Sequence, residues 1–306
     1  FVAGNVFYDA LLPVVAPPEE RDRVSGKGFA VGYAGGGLQF ALSLGLLLKH
    51  EALGLNMDQA ARLAMVFAGV WWGGFSLITL FRLKEPKPQD VAERSGKQAR
   101  SLLGAAKSVI GTMREIAGHK GVLLFLIAFF FYNDGVQTTI AMATIYGKEE
   151  FGFSSNVLMM TLLLIQAVGI GGALLFSRLA KSMGARASLM LSLAVWGAIT
   201  MYACFLSKPW EYFVLGGAVG LVLGGTQALS RSLYSTLIPQ GKTTEFFGYY
   251  SSMSRVSTIM GPLMFGLIRQ LTGSSRWSAA ALSLFFIIGF MLLMRLGKHV
   301  SGKDGE

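Results

Sequence analysis

Long apolar segments separated by short polar stretches recur along the whole chain. Eight of them approach the ~20 residues that a helix needs to cross a hydrocarbon core. They lie at 28–48, 60–82, 121–146, 156–178, 186–206, 210–235, 245–271 and 276–296, and a shorter ninth segment occupies 1–16. Each is expected to be a helix, because a spanning segment must satisfy its backbone hydrogen bonds internally. The pattern predicts an all-α polytopic membrane protein.

The composition agrees with this pattern and narrows the functional class. Of the 306 residues, 53% are hydrophobic and 14% are charged, whereas a soluble domain carries roughly 25% charged residues. The chain has one cysteine and three histidines. The cysteine has no disulfide partner, and the histidines fall at segment ends or in loops, so we predict no metal site. No nucleophile–base pair is visible, so we expect neither an enzyme nor a cofactor.

The basic residues predict the orientation in the membrane. Nineteen of the 27 Lys and Arg residues fall in one set of alternating connections and six in the other, while Arg231 and Arg255 lie inside apolar segments. Cytoplasmic loops are enriched in Lys and Arg, so the first set, which includes the C-terminus, is predicted to be cytoplasmic. This topology explains the net charge of +10 without a nucleic-acid partner.

A basic linker at 83–120 divides 1–82 from 121–296, and a short tail follows at 297–306. The linker contains "ARSLLGAAKSVIGTMREI", in which apolar residues recur at helical spacing between basic ones. This pattern favours an amphipathic helix on the cytoplasmic membrane surface. The alternative is a plain tether without specific contacts.

Two short matches indicate an internal repeat across the linker. "FYDALLP" (7–13) aligns with "LYSTLIP" (233–239), and "FAVGY" (29–33) aligns with "FFGY" (246–249). Parallel repeats occur in some transporter folds. The alignment makes the first segment the partner of 210–235, the fourth of six spans. We therefore expect about three further spans upstream in the same polypeptide, the alternative being that nine spans are the whole design.

The order of segments resembles the major facilitator superfamily. The words "NVFYDALLP", "FFFYNDGVQT", "GLVLGGTQALSRSLYSTLIP" and "EFFGYYSSMSR" resemble the branch that contains the fungal vacuolar amino-acid effluxer and its bacterial relatives. The resemblance implies alternating access, with a complete C-terminal six-helix half and a partial N-terminal half, about 9 of 12 spans. It also implies amino acids as a substrate class for the fungal member. "SRLAKSMGAR" (177–186) corresponds to a gating loop of the superfamily, with Arg186 retained but Lys181 in the acidic position.

"FFFYNDGVQT" (129–138) places a carboxylate inside an apolar segment. Ionisable residues at such depth are costly and are usually functional. We expect Asp134 to face a central cavity, where it exchanges a proton or holds a substrate ammonium, with Asn133 and Gln137 beside it. The alternative is a fixed ion pair with an arginine of a neighbouring helix.

Two arginines also lie inside apolar segments. Gln227, Arg231 and Tyr234 form one stripe of a helix, and Arg231 is a candidate gate residue together with Glu245. Arg255 lies deeper and is a candidate for holding an anionic group of the substrate through paired hydrogen bonds. Either arginine is equally well explained by a static structural pair.

Further polar residues complete the candidate site. Gln166 and Gln39 lie at mid-depth, where they either line the cavity or bond to a neighbouring helix. Asn5 and Asp9 share a helical face, and Asp9 is expected to be solvated. Glycines at 216, 220 and 224 predict close helix packing, and Gly261–Pro262 predicts a kink.

These observations favour a secondary active transporter of a small polar solute, an amino acid or a similar molecule, with protons as a candidate coupling ion. The alternative is a membrane receptor or scaffold that retains the fold without transporting. The expected partners are the solute, the lipid bilayer and the upstream spans. The expected location is the bacterial inner membrane.

Overall fold

The structure is a computed structural model that describes residues 2–82, 102–239 and 241–300. The described part consists of helices and their connections. The helices are α1 (Val2–Ala10), α2 (Leu12–Val15), α3 (Arg21–Leu48), α4 (Met57–Arg82), α5 (Leu102–Gly118), α6 (Lys120–Phe151), α7 (Ser155–Met183), α8 (Ala185–Ala203), α9 (Pro209–Leu237), α10 (Thr243–Val256), α11 (Met260–Thr272), α12 (Ser275–Ala281) and α13 (Ser283–Val300). Short 3₁₀ turns lie at Pro18–Glu20 and Glu51–Leu53.

Seven helical segments of the described part are long and apolar enough to cross a membrane. They are Pro18–Leu48, Met57–Arg82, Lys120–Phe151, Ser155–Met183, Ala185–Ala203, Pro209–Leu237 and Ser275–Gly297. Each overlaps one predicted segment, which confirms the all-α polytopic architecture. The predicted segment 1–16 is instead divided into α1 and α2, with a shorter apolar stretch at Gly4–Val15.

The prediction of one continuous span at 245–271 is wrong. The helix is interrupted at 257–259, and neither α10 nor α11 is long enough to cross a membrane alone. The break precedes the predicted kink at Gly261–Pro262. Pro262 therefore lies in the first turn of α11, where its missing N–H leaves no intrahelical bond unmade.

Helix α9 is the centre of the packing and contacts α3, α6, α7 and α8. Its predicted glycine strip lies directly against α7. A Cβ added at Gly220 would lie 2.7 Å from the Ile165 carbonyl oxygen, and one added at Gly224 would lie 2.4 Å from the Gly169 carbonyl oxygen. The close helix packing predicted from these glycines is therefore present.

Helices α4 and α5 lie at the edge of the molecule. Helix α4 packs against α3, but nothing in its most apolar 18-residue window is buried. In α5, Thr112 and Ile116 are buried whereas Ile110 and Met113 are exposed. The helix agrees with the amphipathic pattern of the linker. Its place on the membrane surface and the domain boundaries stay predictions, and positions 83–101 and 301–306 lie outside the described residues.

Candidate functional site

A polar cavity of about 420 Å³ lies where α1, α6, α9 and α10 meet. We call it the central cavity. Its lining residues are Asn5, Asp9, Phe29, Phe129, Tyr132, Asn133, Val136, Gln137, Thr226, Gln227, Ser230, Tyr250, Ser251, Ser254, Arg255 and Thr258. Across the described residues, no three His, Cys, Asp or Glu side chains gather where they could hold a metal ion.

Arg255 contributes a cation to the wall of the central cavity. It lies in the last turn of α10 and is exposed. Within the described part of the chain it forms no ion pair, so the static pair considered for it is not observed there. Its planar guanidinium is free to bind a carboxylate or phosphate through two parallel hydrogen bonds.

Asp9 is the one carboxylate among the described lining residues, and it pairs with a buried arginine. Arg231 Nη1 lies 3.3 Å from Asp9 Oδ1. Arg231 also donates to the Ser25 hydroxyl (3.1 Å) and carbonyl (3.3 Å), and its guanidinium lies 4.8 Å from the ring centroids of Tyr8 and Phe29. Asp9 is therefore less solvated than expected: its side chain is 16% exposed, at the boundary between α1 and α9.

Asp134 does not line the central cavity, which corrects the main prediction for this residue. It is fully buried, its Oδ2 accepts a hydrogen bond from the Gly261 N–H (2.8 Å), and its Oδ1 accepts one from the Thr138 hydroxyl (3.3 Å). It pairs with no arginine in the described residues either. Successive helical residues point about 100° apart, so Asn133 and Gln137 face the cavity while Asp134 faces α11.

The remaining cavity candidates divide into two groups. Asn133, Gln137 and Gln227 are on the wall, where Asn133 donates to the Ser257 hydroxyl (2.7 Å) and Gln227 accepts from the Tyr33 hydroxyl (2.7 Å). The structure therefore brings three predicted amides to the same space as Arg255.

Tyr234 and Gln166 lie away from the wall. Tyr234 is fully buried, donates to the Phe246 carbonyl (2.9 Å) and stacks on Tyr250 with ring centroids 5.1 Å apart. Gln166 lies between α7 and α3, where its Nε2 would be 3.2 Å from a Cβ added at Gly36. Neither contacts the central cavity, because packing between helices determines where their side chains lie.

Nearly the whole chain matches one family of known proteins. The family model described as "Vacuole effluxer Atg22 like" matches residues 10–305. The chain belongs to this vacuole effluxer Atg22-like family. It is 32% identical to the uncharacterized MFS-type transporter YxiO of Bacillus subtilis, over 98% of this chain and 69% of that protein. The predicted family is therefore confirmed.

Fungal members of the Atg22-like family are similar over most of this chain. Autophagy-related protein 22 of Yarrowia lipolytica is 29% identical, and autophagy-related protein 22-2 of Aspergillus oryzae is 27% identical. The alignments cover 93% and 89% of this chain but only 52% and 48% of those relatives. This member of the family is a multi-pass integral membrane protein, and the family is one of transporters, which is not an enzyme class.

The gate residues predicted for this Atg22-like chain have separate partners. Glu245 accepts a hydrogen bond from Thr112 of α5 (3.1 Å), and Arg186 donates to the Met294 carbonyl (3.4 Å). Arg231 pairs with Asp9 rather than with Glu245, so the suggested gate pair is wrong. A gating role for Arg186 or Glu245 stays a prediction.

Sequence reasoning missed the hydroxyl groups of the cavity wall. Ser230, Ser251 and Ser254 line it, and Ser230 is hydrogen bonded to the Tyr132 hydroxyl at 2.7 Å. Serines also occur at ordinary contacts between membrane helices, so their spacing gave no distinct signal. Asp9 did have a recognisable sequence signal. It follows Asn5 by one helical turn, so the two polar side chains share one face of the helix.

Proposed function

We propose that this chain is a secondary active transporter of the major facilitator fold that moves a small zwitterionic solute, an amino acid or a similar molecule, through the central cavity. The observation that carries the proposal is the presence in one polar space of a carboxylate, Asp9, and of a guanidinium, Arg255, that forms no ion pair with the described residues. A zwitterion carries one positive and one negative group. A site with one carboxylate and one guanidinium therefore compensates each solute charge when it is removed from water.

Different lining residues are proposed to bind three different parts of the solute. Arg255 holds the solute carboxylate, Asp9 holds its ammonium group, and the amides of Asn133, Gln137 and Gln227 orient the polar part. The aromatic and apolar lining residues limit the size of the side chain. Asp9 also replaces Asp134 as the candidate for proton coupling, because it is the lining carboxylate.

Alternating access requires that contacts between the two halves of the chain open and close. At the end predicted to be cytoplasmic, Arg21 of α3 donates to the Ser235 carbonyl (2.8 Å) and Ser25 to the Ala228 carbonyl (2.7 Å). These bonds join α3 to α9 beside the Asp9–Arg231 pair. In the proposal they break when the cavity opens to the cytoplasm of a bacterial cell.

Upstream spans of the same polypeptide would complete the pathway. The chain spans about half the length of its fungal relatives, and the apolar surface of α4 is uncovered. In the proposal this chain supplies about nine of twelve spans, and α6, α9 and α10 of its C-terminal half line one side of the central cavity.

The test is solute binding and uptake in proteoliposomes with a radiolabelled mixture of the common L-amino acids. Arg255→Gln is expected to weaken binding about 10–100-fold, since it removes charge-assisted hydrogen bonds. Arg23→Gln is the matched control, because Arg23 pairs with Glu20 at the surface, outside the cavity. Asp9→Asn is expected to abolish accumulation driven by a pH gradient.

The outcomes separate the two functional classes. Binding that depends on Arg255 together with gradient-driven uptake supports the transporter. Binding without flux, in this chain and in a longer form with upstream spans, would favour a receptor or scaffold. Equal binding by Arg255→Gln and Arg23→Gln would exclude the central cavity as the solute site.

A further inference from the structure

Two adjacent residues of α6 hold the two sides of the break between α10 and α11. On one side, Asn133 Nδ2 donates to the Ser254 carbonyl (3.2 Å) and to the Ser257 hydroxyl (2.7 Å). On the other side, Asp134 Oδ2 accepts from the Gly261 N–H (2.8 Å). One helix therefore satisfies the C-terminal end of α10 and the N-terminal end of α11.

The break needs such partners because it lies in an apolar segment. A helix end leaves several backbone N–H and C=O groups without intrahelical partners, and each unsatisfied group inside a membrane is costly. Interrupted helices are tolerated there when neighbouring side chains satisfy these groups. A carboxylate is a strong acceptor for the N-terminal amides, since it also interacts favourably with the helix dipole.

Helix α11 is attached to α6 at its far end as well. Arg269 Nη2 lies 2.7 Å from Glu149 Oε1. The next helix continues the attachment, as Ser275 donates to Glu149 (2.7 Å) and Arg276 lies 2.8 Å from Glu150. Helices α6 and α11 are thus joined at two levels.

Arg255 lies two residues before the break, so its position depends on how α10 ends. The Arg255 carbonyl accepts the Thr258 N–H (3.2 Å) and hydroxyl (2.8 Å). The space around Asp134 is also closely filled, because a Cβ added at Gly261 would lie 2.0 Å from Thr138 Oγ1 and 2.7 Å from Asp134 Oδ1. A small displacement of the start of α11 would be transmitted through the break to Arg255.

We infer that Asp134 is a positioning residue, which places the Arg255 guanidinium in the central cavity by fixing the start of α11 on α6. Its carboxylate acts as a hydrogen-bond acceptor within the protein and contacts neither solute nor solvent. The inference rests on the proposed function only in giving Arg255 a solute to bind. Asn133 supports the same break from the cavity side.

The test measures the charge of the cavity without any solute. Cys204, the single cysteine, is replaced by serine, and Gln137→Cys places a thiol on the wall of the cavity on α6. The rates of modification by an anionic and a cationic methanethiosulfonate reagent are then compared. Their ratio reports the electrostatic effect of Arg255, which Arg255→Gln should lower about ten-fold.

Asp134→Leu and Asp134→Asn form the decisive pair. Both remove the same negative charge, but the asparagine carbonyl can still accept the Gly261 N–H. In Asp134→Asn the anionic-to-cationic ratio should stay at or above that of the parent. In Asp134→Leu it should fall about ten-fold, and this fall should disappear when Arg255→Gln is also present.

Two glycine substitutions provide an independent check if Asp134→Leu does not fold. Gly261→Ala should lower the ratio because its Cβ displaces the start of α11, whereas Gly266→Ala, with nothing within 4 Å of an added Cβ, should not. Equal ratios in Asp134→Leu and Asp134→Asn would overturn the inference. So would an equal rise in both, which would show that the lost negative charge itself acts on the reagents. Neither result depends on whether the chain transports.

Discussion

Arg231 shows how one residue connects segments that are far apart in the sequence. Its guanidinium is buried, and its partners are an acid and a ring of α1 and a serine and a ring of α3. A buried guanidinium must be compensated, since desolvating it costs several kcal/mol. Asp9, Ser25 and the two rings provide this compensation.

We therefore expect Arg231→Gln to destabilise the protein by about 3–5 kcal/mol, because Asp9 would lose its buried partner. The measurement is the change in Tm in detergent micelles. Arg23→Gln is the control, since Arg23 pairs with Glu20 at the surface with side chains 62% and 47% exposed, and such pairs contribute little. Equal Tm changes for the two variants would contradict the role given to Arg231.

At the scale of helices, the contact between α7 and α9 depends on residues without side chains. A Cβ added at Gly172 would lie 2.0 Å from the Leu221 carbonyl oxygen, and Gly220 and Gly224 are similarly close to α7 backbone. Because backbone lies opposite backbone, no rotamer change can relieve an added methyl group. The two helices would have to separate.

Gly224→Ala is expected to destabilise the protein by about 1–3 kcal/mol through this overpacking. Gly217→Ala on the same helix has nothing within 4 Å of the added Cβ, so its better helix propensity should make it neutral or up to about 1 kcal/mol stabilising. Thermal unfolding of both variants checks the prediction. Destabilisation by Gly217→Ala of the same size would show that the contact is not responsible.

At the scale of the whole molecule, the distribution of charge and of apolar surface defines the relation to the membrane. Basic residues favour one set of connections, which we assign to the cytoplasm with the C-terminus. The uncovered surface of α4, where Met65, Leu80 and Phe81 are at least 74% exposed, requires lipid or further helices around it.

Cysteine labelling in intact bacterial cells tests this orientation. In a Cys204→Ser background, a membrane-impermeant maleimide should label Ser207→Cys but not Ser182→Cys, because the two exposed positions lie in opposite sets of connections. Permeabilised cells provide the control, in which both should react. The reverse pattern in intact cells would invert the topology and place the Arg21–Ser235 contact on the outer side.

Much of this organisation could be predicted from the sequence. The apolar segments predicted seven of the helices now seen, because a membrane span requires a long apolar helix whatever its neighbours are. The glycine strip predicted close helix packing at α9, whereas its partner, α7, is known only from the structure. The depth of Arg255, Asn133 and Gln137 predicted that they would share a polar space.

Only the tertiary structure determined the direction of each polar side chain and the position of the break. Adjacent residues of one helix point about 100° apart, so a sequence that placed Asp134 at mid-depth could not tell a cavity from the end of α11. The pairing of Asp9 with Arg231 likewise joins positions 222 residues apart. The sequence by itself determined which segments lie in the membrane, because the free energy of transferring a segment from water to lipid depends on its own residues. Which polar groups meet depends on how the helices pack.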